Sequence, residues 1–183
     1  MSLLSLIALI SGIAGVWLTI KENIFCWPVA ILSIIISSYE FYKAKLFGDM
    51  GLQIFYFFFA LYGWYFWRKK TGQVFIVSNT PKKNIPPLII FTVAQTIALF
   101  FLLTYFNGDR ILIDATLTAF SLTATYMMTK KWLENWLAWV FIDASYVTLY
   151  CLKFMWLFAL LYLFFAVMAF FGWIKWKKIM LLK

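Results

Sequence analysis

Apolar runs alternate with short charged breaks along the whole of this chain. Seven runs can be marked, at about residues 3–20, 24–42, 50–67, 86–106, 111–129, 135–152 and 155–174, each near the ~20 residues that a helix needs to cross a bilayer core. The longest break runs from Arg68 to Pro87. It holds Arg68-Lys69-Lys70, Lys82-Lys83 and three prolines, which makes it a loop and not a bent helix. The pattern predicts an all-α integral membrane protein with seven transmembrane helices in a single domain, residues 1–183, and nothing left over for a separate soluble domain.

Composition strengthens that picture. The chain is 65% hydrophobic, 22% aromatic and 13% charged, where a soluble domain is roughly 45–50% apolar. A small globule has too little interior to hide so much apolar surface, so lipid must cover it. The formal charge of +9 would suggest nucleic acid in a soluble protein, but here the basic residues stand between apolar runs. Sorted by side of the membrane, Lys21, Arg68, Lys69, Lys70, Lys82, Lys83, Lys130, Lys131, Lys175, Lys177, Lys178 and Lys183 fall together. Lys43, Lys45, Arg110 and Lys153 fall opposite them. Twelve against four predicts an N-terminus outside and a C-terminus in the cytoplasm, because cytoplasmic loops retain Lys and Arg.

The opening Met1-Ser2-Leu3-Leu4-Ser5 has no basic n-region and reads as a retained first helix. Cys26 and Cys151 come out near opposite faces, which argues against a disulfide. Trp64, Trp67, Trp173 and Trp176 lie beside basic residues at helix ends, where interfacial anchors belong. For Trp64 the anchor and the ligand-contact readings stay equally open.

The chain compared with itself suggests a repeat. Glu22-Asn23-Ile24-Phe25-Cys26-Trp27 aligns with Glu134-Asn135-Trp136-Leu137-Ala138-Trp139 at an offset of 112, which sets Ser33 on Ser145. Gly63-Trp64-Tyr65-Phe66-Trp67-Arg68 aligns with Gly172-Trp173-Ile174-Lys175-Trp176-Lys177 at an offset of 109. A three-residue difference in the intervening loop reconciles the two. The expected plan is 3+1+3: a first repeat over about 3–68, a linker helix over about 86–106 and a second repeat over about 111–177. An even number of spans separates equivalent helices, so the repeats are parallel, with a substrate site where they meet.

Polar groups inside spans are costly and mark function by default. Asn135, Trp139, Asp143, Tyr146 and Tyr150 recur at steps of three or four and share one face of the sixth helix. The matching face of the second helix begins with Asn23 and Trp27 and then turns apolar, with Pro28 placed where it can open or bend the backbone. The third helix adds Gln53, Tyr56 and Ala60 at spacings of three and four, with Trp64 as a further candidate contact, and the fifth adds Asp114, Thr118, Ser121 and Thr125 on another face. Packing accounts for the hydroxyls as well as function does, and Gln95 reads as a helix contact. Trp136 points about 100° away from Asn135 around the helix and is expected to matter much less than Trp139. The chain has no His, no Cys pair at metal-ligand spacing, no P-loop and no dinucleotide fingerprint. Neither a metal nor a cofactor is expected. A membrane enzyme would have only Asp114 and Asp143 to work with, and a structural subunit would not need the polar face.

Gly48-Asp49, Tyr62-Gly63-Trp64-Tyr65-Phe66-Trp67, Asp114-Ala115 and Glu134-Asn135-Trp136-Leu137-Ala138-Trp139 together resemble the PnuC family of bacterial vitamin transporters. The resemblance covers nearly the whole chain. It implies a fold related to the SWEET sugar transporters, a homotrimer in the bacterial inner membrane, and facilitated diffusion of nicotinamide riboside with a cytoplasmic kinase trapping the product. By motif position it carries over Asn135 and Trp139 as substrate contacts, with Gln53 opposite. Sister groups of the same fold take thiamine or riboflavin. Nicotinamide riboside and thiamine are both aromatic cations, and the residues themselves do not choose between them.

Overall fold

The computed structural model describes residues 3–43, 47–69, 76–105, 111–152 and 154–182. Lys45, Lys70, Arg110, Lys153 and Lys183, counted above for orientation, lie outside the described residues. Among those described there are seven long helices: α1 (Leu3–Ile20), α2 (Cys26–Lys43), α3 (Phe47–Lys69), α4 (Ile85–Tyr105), α5 (Ile111–Thr129), α6 (Asn135–Leu152) and α7 (Trp156–Leu181), with a 3-10 turn at Lys82–Asn84 leading into α4. Every apolar run of the sequence is one of them. Four segments, α1, Lys82–Tyr105, α5 and α7, are long and apolar enough to cross a membrane by themselves. Helices α2, α3 and α6 are as long, and they carry serines, Glu40, Gln53, Asn135 and Asp143 in place of some of the apolar residues.

Many hydroxyls within the helices bond to their own helix. Thr19, Thr92 and Ser121 donate to the carbonyls of Gly15, Leu88 and Leu117, four residues back, at 2.8–2.9 Å. Thr125 does the same to Ser121, so much of the polar face expected on α5 is bound into its own helix. Pro28 occupies the first turn of α2, and Pro86 and Pro87 the first turn of α4. Those backbone positions have no intrahelical acceptor in any case, so the prolines begin helices and need not bend them.

Consecutive helices pack as pairs, α1 on α2, α2 on α3, α4 on α5, α5 on α6 and α6 on α7, and two further contacts, α3 with α5 and α1 with α7, tie the ends of the chain together. Helix α4 rests mainly on α5. Its one fully buried residue is Thr92, whose hydroxyl meets that of Thr123 at 2.8 Å.

The turns α1–α2 and α5–α6 are built alike. Glu22 (φ 54°) and Lys131 (φ 55°) both adopt the left-handed conformation. The N–H of Glu22 donates to Thr19 and that of Lys131 to Met128; Asn23 donates to Leu18 as Trp132 does to Met127; Cys26 donates to Asn23 as Asn135 does to Trp132. Each bond has its counterpart 109 residues on. The alignment of these turns at 112 is therefore three residues out. The counterpart of Glu22 is Lys131, that of Trp27 is Trp136 and that of Asn23 is Trp132. The shared Glu-Asn letters misled because the turn is defined by its left-handed pivot, and different residues hold that pivot in the two places.

At the same 109-residue spacing, four tryptophans meet. Trp27 stands edge-on to Trp67 with centroids 5.3 Å apart and planes at 88°, and Trp136 stands to Trp176 with the same values. Trp67 and Trp176 then touch each other at 6.5 Å. The indole N–H of Trp67 donates to the carbonyl of Thr129 at 3.1 Å, and that of Trp176 to the carbonyl of Thr19 at 3.3 Å. Glu22 and Lys131 form an ion pair at 3.0 Å beside this cluster, with the ammonium 4.6 Å from the Trp67 ring. Part of the long loop is strapped to the same place. Ser78 exchanges backbone hydrogen bonds with Lys131 and Leu133, and Thr80 gives both its N–H and its hydroxyl to Glu134 Oε2 at 2.8 and 2.7 Å. The Glu134 of the motif is thus a loop clamp.

Gly63 and Gly172 are the notches that receive Trp27 and Trp136: a Cβ on either would lie well under 3 Å from indole carbons. Because those rings are wedged by other rings, they cannot yield. Gly63→Ala and Gly172→Ala are each expected to cost about 1–3 kcal/mol of stability, read as an earlier thermal unfolding transition in detergent. Gly51→Ala, with open space around it, is the control. Equal transitions for all three variants would refute the notch assignment.

Candidate functional site

The face of α6 that carries Asn135, Trp139, Asp143, Tyr146 and Tyr150 turns inward. Asn135 is 0% exposed. Its Nδ2 donates to the carbonyl of Trp132, while its Oδ1 is buried with no hydrogen-bond partner. One turn on, Trp139 packs against the tryptophan core, and its indole N–H is buried and also unpartnered. A buried acceptor and a buried donor, four residues apart on one face, are left open.

Farther along, Asp143 is 5% exposed and stands half-way through the helix. A carboxylate at such a depth costs roughly 2.5–3.5 kcal/mol on insertion. Around it lies a group of tyrosines from three helices. Tyr146 meets Tyr162 of α7 at 4.7 Å, Tyr150 meets Tyr162 at 5.3 Å, and Phe158 closes the outer side of Tyr150 at 5.3 Å. Tyr56 of α3 reaches the same centre: its hydroxyl neighbours Ser121 of α5, and Asp143 is within electrostatic range of both Tyr56 and Tyr162. Gln53, one turn from Tyr56 on α3, is half-buried.

Tyr162 is the member that reading the sequence missed. It stands alone among Leu and Phe in α7, so no periodic polar face announces it. The available signal was the 109-residue spacing, which sets Tyr162 opposite Gln53 in the other half.

Other sequence candidates are placed elsewhere. Asn23 accepts the N–H of Phe25 at 2.9 Å and closes the α1–α2 turn, so it is a structural cap. Trp27 is 4% exposed inside the tryptophan cluster. Trp64 is 37% exposed on the outer flank of α3, the position of an interfacial anchor. Asp114 is half-buried in the first turn of α5 and is engaged in an interaction there. Trp136 also needs correcting. It does point away from Asn135, but what it points into is Gly172 and Trp176 at 1% exposure, so its loss would strike folding.

Two cavities flank α5, one of about 390 Å³ beside Asn84, Phe91 and Trp132 and one of about 340 Å³ beside Phe55, Phe59 and Tyr62. Neither is lined by the inward face of α6, which is filled by its own aromatic rings. Among the described residues no group of His, Cys, Asp and Glu gathers to hold a metal.

Comparison with known proteins places the chain. The model of the nicotinamide mononucleotide transporter family matches residues 2–178. The chain belongs to that family. It is a family of membrane transporters and not of enzymes, and the several apolar helices make this member a multi-pass membrane protein. Similar curated proteins are the nicotinamide riboside transporters PnuC of Escherichia coli strain K12 and of Shigella flexneri. Each is 24% identical over 181 residues, covering 84% of this chain and 76% of the relative. Among solved structures, the crystal structure of the vitamin B3 transporter PnuC superposes with a TM-score of 0.76 at 21% identity, over 97% of this chain and 81% of that one. The transporter fold is thereby shared from the first helix to the last.

Proposed function

We propose that this protein carries nicotinamide riboside across the bacterial inner membrane by facilitated diffusion, with Asn135 and Trp139 as the recognition edge of its site. The observation that carries the reading is the pair of unpartnered buried groups on one helix face, Asn135 Oδ1 and the Trp139 indole N–H. The indole N–H groups of Trp27 and Trp136 are buried and unpartnered too, inside the tryptophan cluster; what sets Asn135 and Trp139 apart is an acceptor and a donor side by side on one helix face, for which a carboxamide-bearing aromatic ligand supplies both partners and a flat ring. The names of the PnuC relatives support this choice over thiamine. Gln53, Tyr56, Tyr146 and Tyr150 line the rest of the path.

The architecture that goes with this function is a parallel 3+1+3 repeat of the SWEET kind, α1–α3 and α5–α7 about an axis along the membrane normal, with α4 as linker. Support comes from the matched turns, the matched tryptophan pairs and the peripheral seat of α4. The excess of basic residues on one side supports a cytoplasmic tryptophan end.

Loss of the Trp139 ring face is worth about 1–2 kcal/mol for a desolvated cationic aromatic, and loss of the Asn135 amide typically ~1–3 kcal/mol. Trp139→Ala and Asn135→Ala are each expected to weaken nicotinamide riboside binding by roughly ten-fold or more in protein that still purifies as a folded particle. Unchanged affinity in both variants would remove this face from the site.

Orientation has its own test at Asn79, which is exposed on the strapped loop. An Asn79→Cys variant should resist membrane-impermeant maleimide in intact cells and react after the cells are opened. Labelling from outside would invert the topology.

Passive transport is expected because the chain has no His relay, and its intramembrane acids do not line up as a proton path. Uptake by protein-containing vesicles should stop at equal concentrations and ignore imposed proton or sodium gradients. Accumulation beyond the outside level, with no kinase present, would contradict it; a trapping kinase belongs to the cell and not to this chain.

A further inference from the structure

Asp143 stands at mid-depth whichever way the protein is inserted, because roughly 12 Å of helix separates it from either end of α6 at 1.5 Å per residue. No basic side chain shares that depth among the described residues. Lys21, Lys130 and Lys131 are in the turns, Lys43, Arg68 and Lys69 close their helices, and the others lie in the 3-10 turn or the last two turns of α7. Lys131, the basic residue preceding α6, is held by Glu22 at 3.0 Å. The groups gathered near Asp143 are neutral: Tyr146 and Tyr150 follow it at three and seven residues on the same face of α6, Tyr162 of α7 packs on both of them, and Tyr56 of α3, with Ser121 of α5 beside it, lies close to the carboxyl group. The site therefore sets a buried carboxyl group beside a cluster of tyrosines and, among the described residues, contains no cation to balance it.

That combination is what a positively charged ring requires, since π faces attract a desolvated cation and the carboxylate neutralises it. We infer that Asp143 is the counter-ion for a cationic ligand ring, and that with Tyr56, Tyr146 and Tyr162 it selects a permanently charged pyridinium over a neutral ring of the same shape. Tyr162 thereby joins the site as a specificity residue. The inference rests on the nicotinamide riboside reading and adds to it that charge, as well as shape and hydrogen bonding, is read. The missing positive charge arrives with the ligand.

Nicotinamide riboside and its 1,4-dihydro form make the test, because they share ribose, carboxamide and ring size and differ in charge. Direct binding to purified protein in detergent should favour the cation by about ten-fold or more. Asp143→Asn keeps the side-chain shape and should erase most of that preference, by weakening the cation while leaving the neutral form little changed. Asp143→Glu should retain the preference. A wild-type protein that binds both forms equally overturns the counter-ion assignment and leaves the substrate reading intact, and this comparison decides even where Asp143→Asn fails to assemble. An Asp143→Asn variant with the wild-type preference overturns it as well. Binding of neither form by the wild-type protein would overturn the substrate reading and the counter-ion with it.

Discussion

Four indole rings at one end of the bundle hold the two ends of the chain in register, and most other features of the fold serve that contact. In lipid there is no hydrophobic gain from pressing one apolar helix on another, so close packing and hydrogen bonds must do the work. The tryptophans supply both. Trp27 and Trp136 fill notches opened by Gly63 and Gly172. Trp67 of α3 donates to the last turn of α5, and Trp176 of α7 donates to the last turn of α1. Carbonyls in a final turn have no partner within their own helix. Helix α3 therefore closes an end of α5, and α7 an end of α1, which ties the first three helices to the last three.

The turns beside this cluster are shaped to the same end. A left-handed residue at Glu22 and at Lys131 reverses the chain within a few residues, which starts α2 and α6 directly under the indoles. The two residues then join as an ion pair across the halves. On the second turn the strap from Val77 to Thr80 adds a further layer, with Glu134 accepting two bonds from Thr80. This end of the molecule is shut by contacts between the halves. The buried face of α6 that the proposed function makes the recognition edge lies next to these contacts.

The spans were legible because hydrophobic length is a strong and local signal: all seven helices fall within a few residues of the apolar runs, apart from the extension of α7 to Leu181 through its lysines. The inward face of α6 was legible for the same reason, since steps of three and four need no knowledge of neighbours. What could not be read locally was which tryptophan does what. Trp27 and Trp139 share a motif spacing, yet Trp27 is a structural wedge, and only the neighbouring Gly63 reveals it. Asn23 imitates Asn135 in letters but caps a turn. Tyr162 carries no pattern of its own and belongs to the site solely through helices that are distant in sequence.

The proposed repeat also divides the residues by role. Where 109-residue counterparts agree, as Trp27 with Trp136, Gly63 with Gly172 and Trp67 with Trp176, they are packing residues that obey the axis. Counterparts disagree in the turns, as Glu22 with Lys131, and also along the inward faces: Trp139 answers to Ala30, Asp143 to Ile34, Tyr146 to Ser37 and Tyr162 to Gln53. A small ligand with one ring, one amide and one charge has no twofold symmetry, so two identical walls could satisfy it only on one side and would leave a second buried carboxylate without a partner. A repeat protein that binds such a ligand must keep the symmetry where helices meet and break it where the ligand sits. In the proposed repeat the wall contributed by α2 is apolar while that of α6 carries an amide, an acid and tyrosines, and this departure from the repeat falls where the proposed site lies.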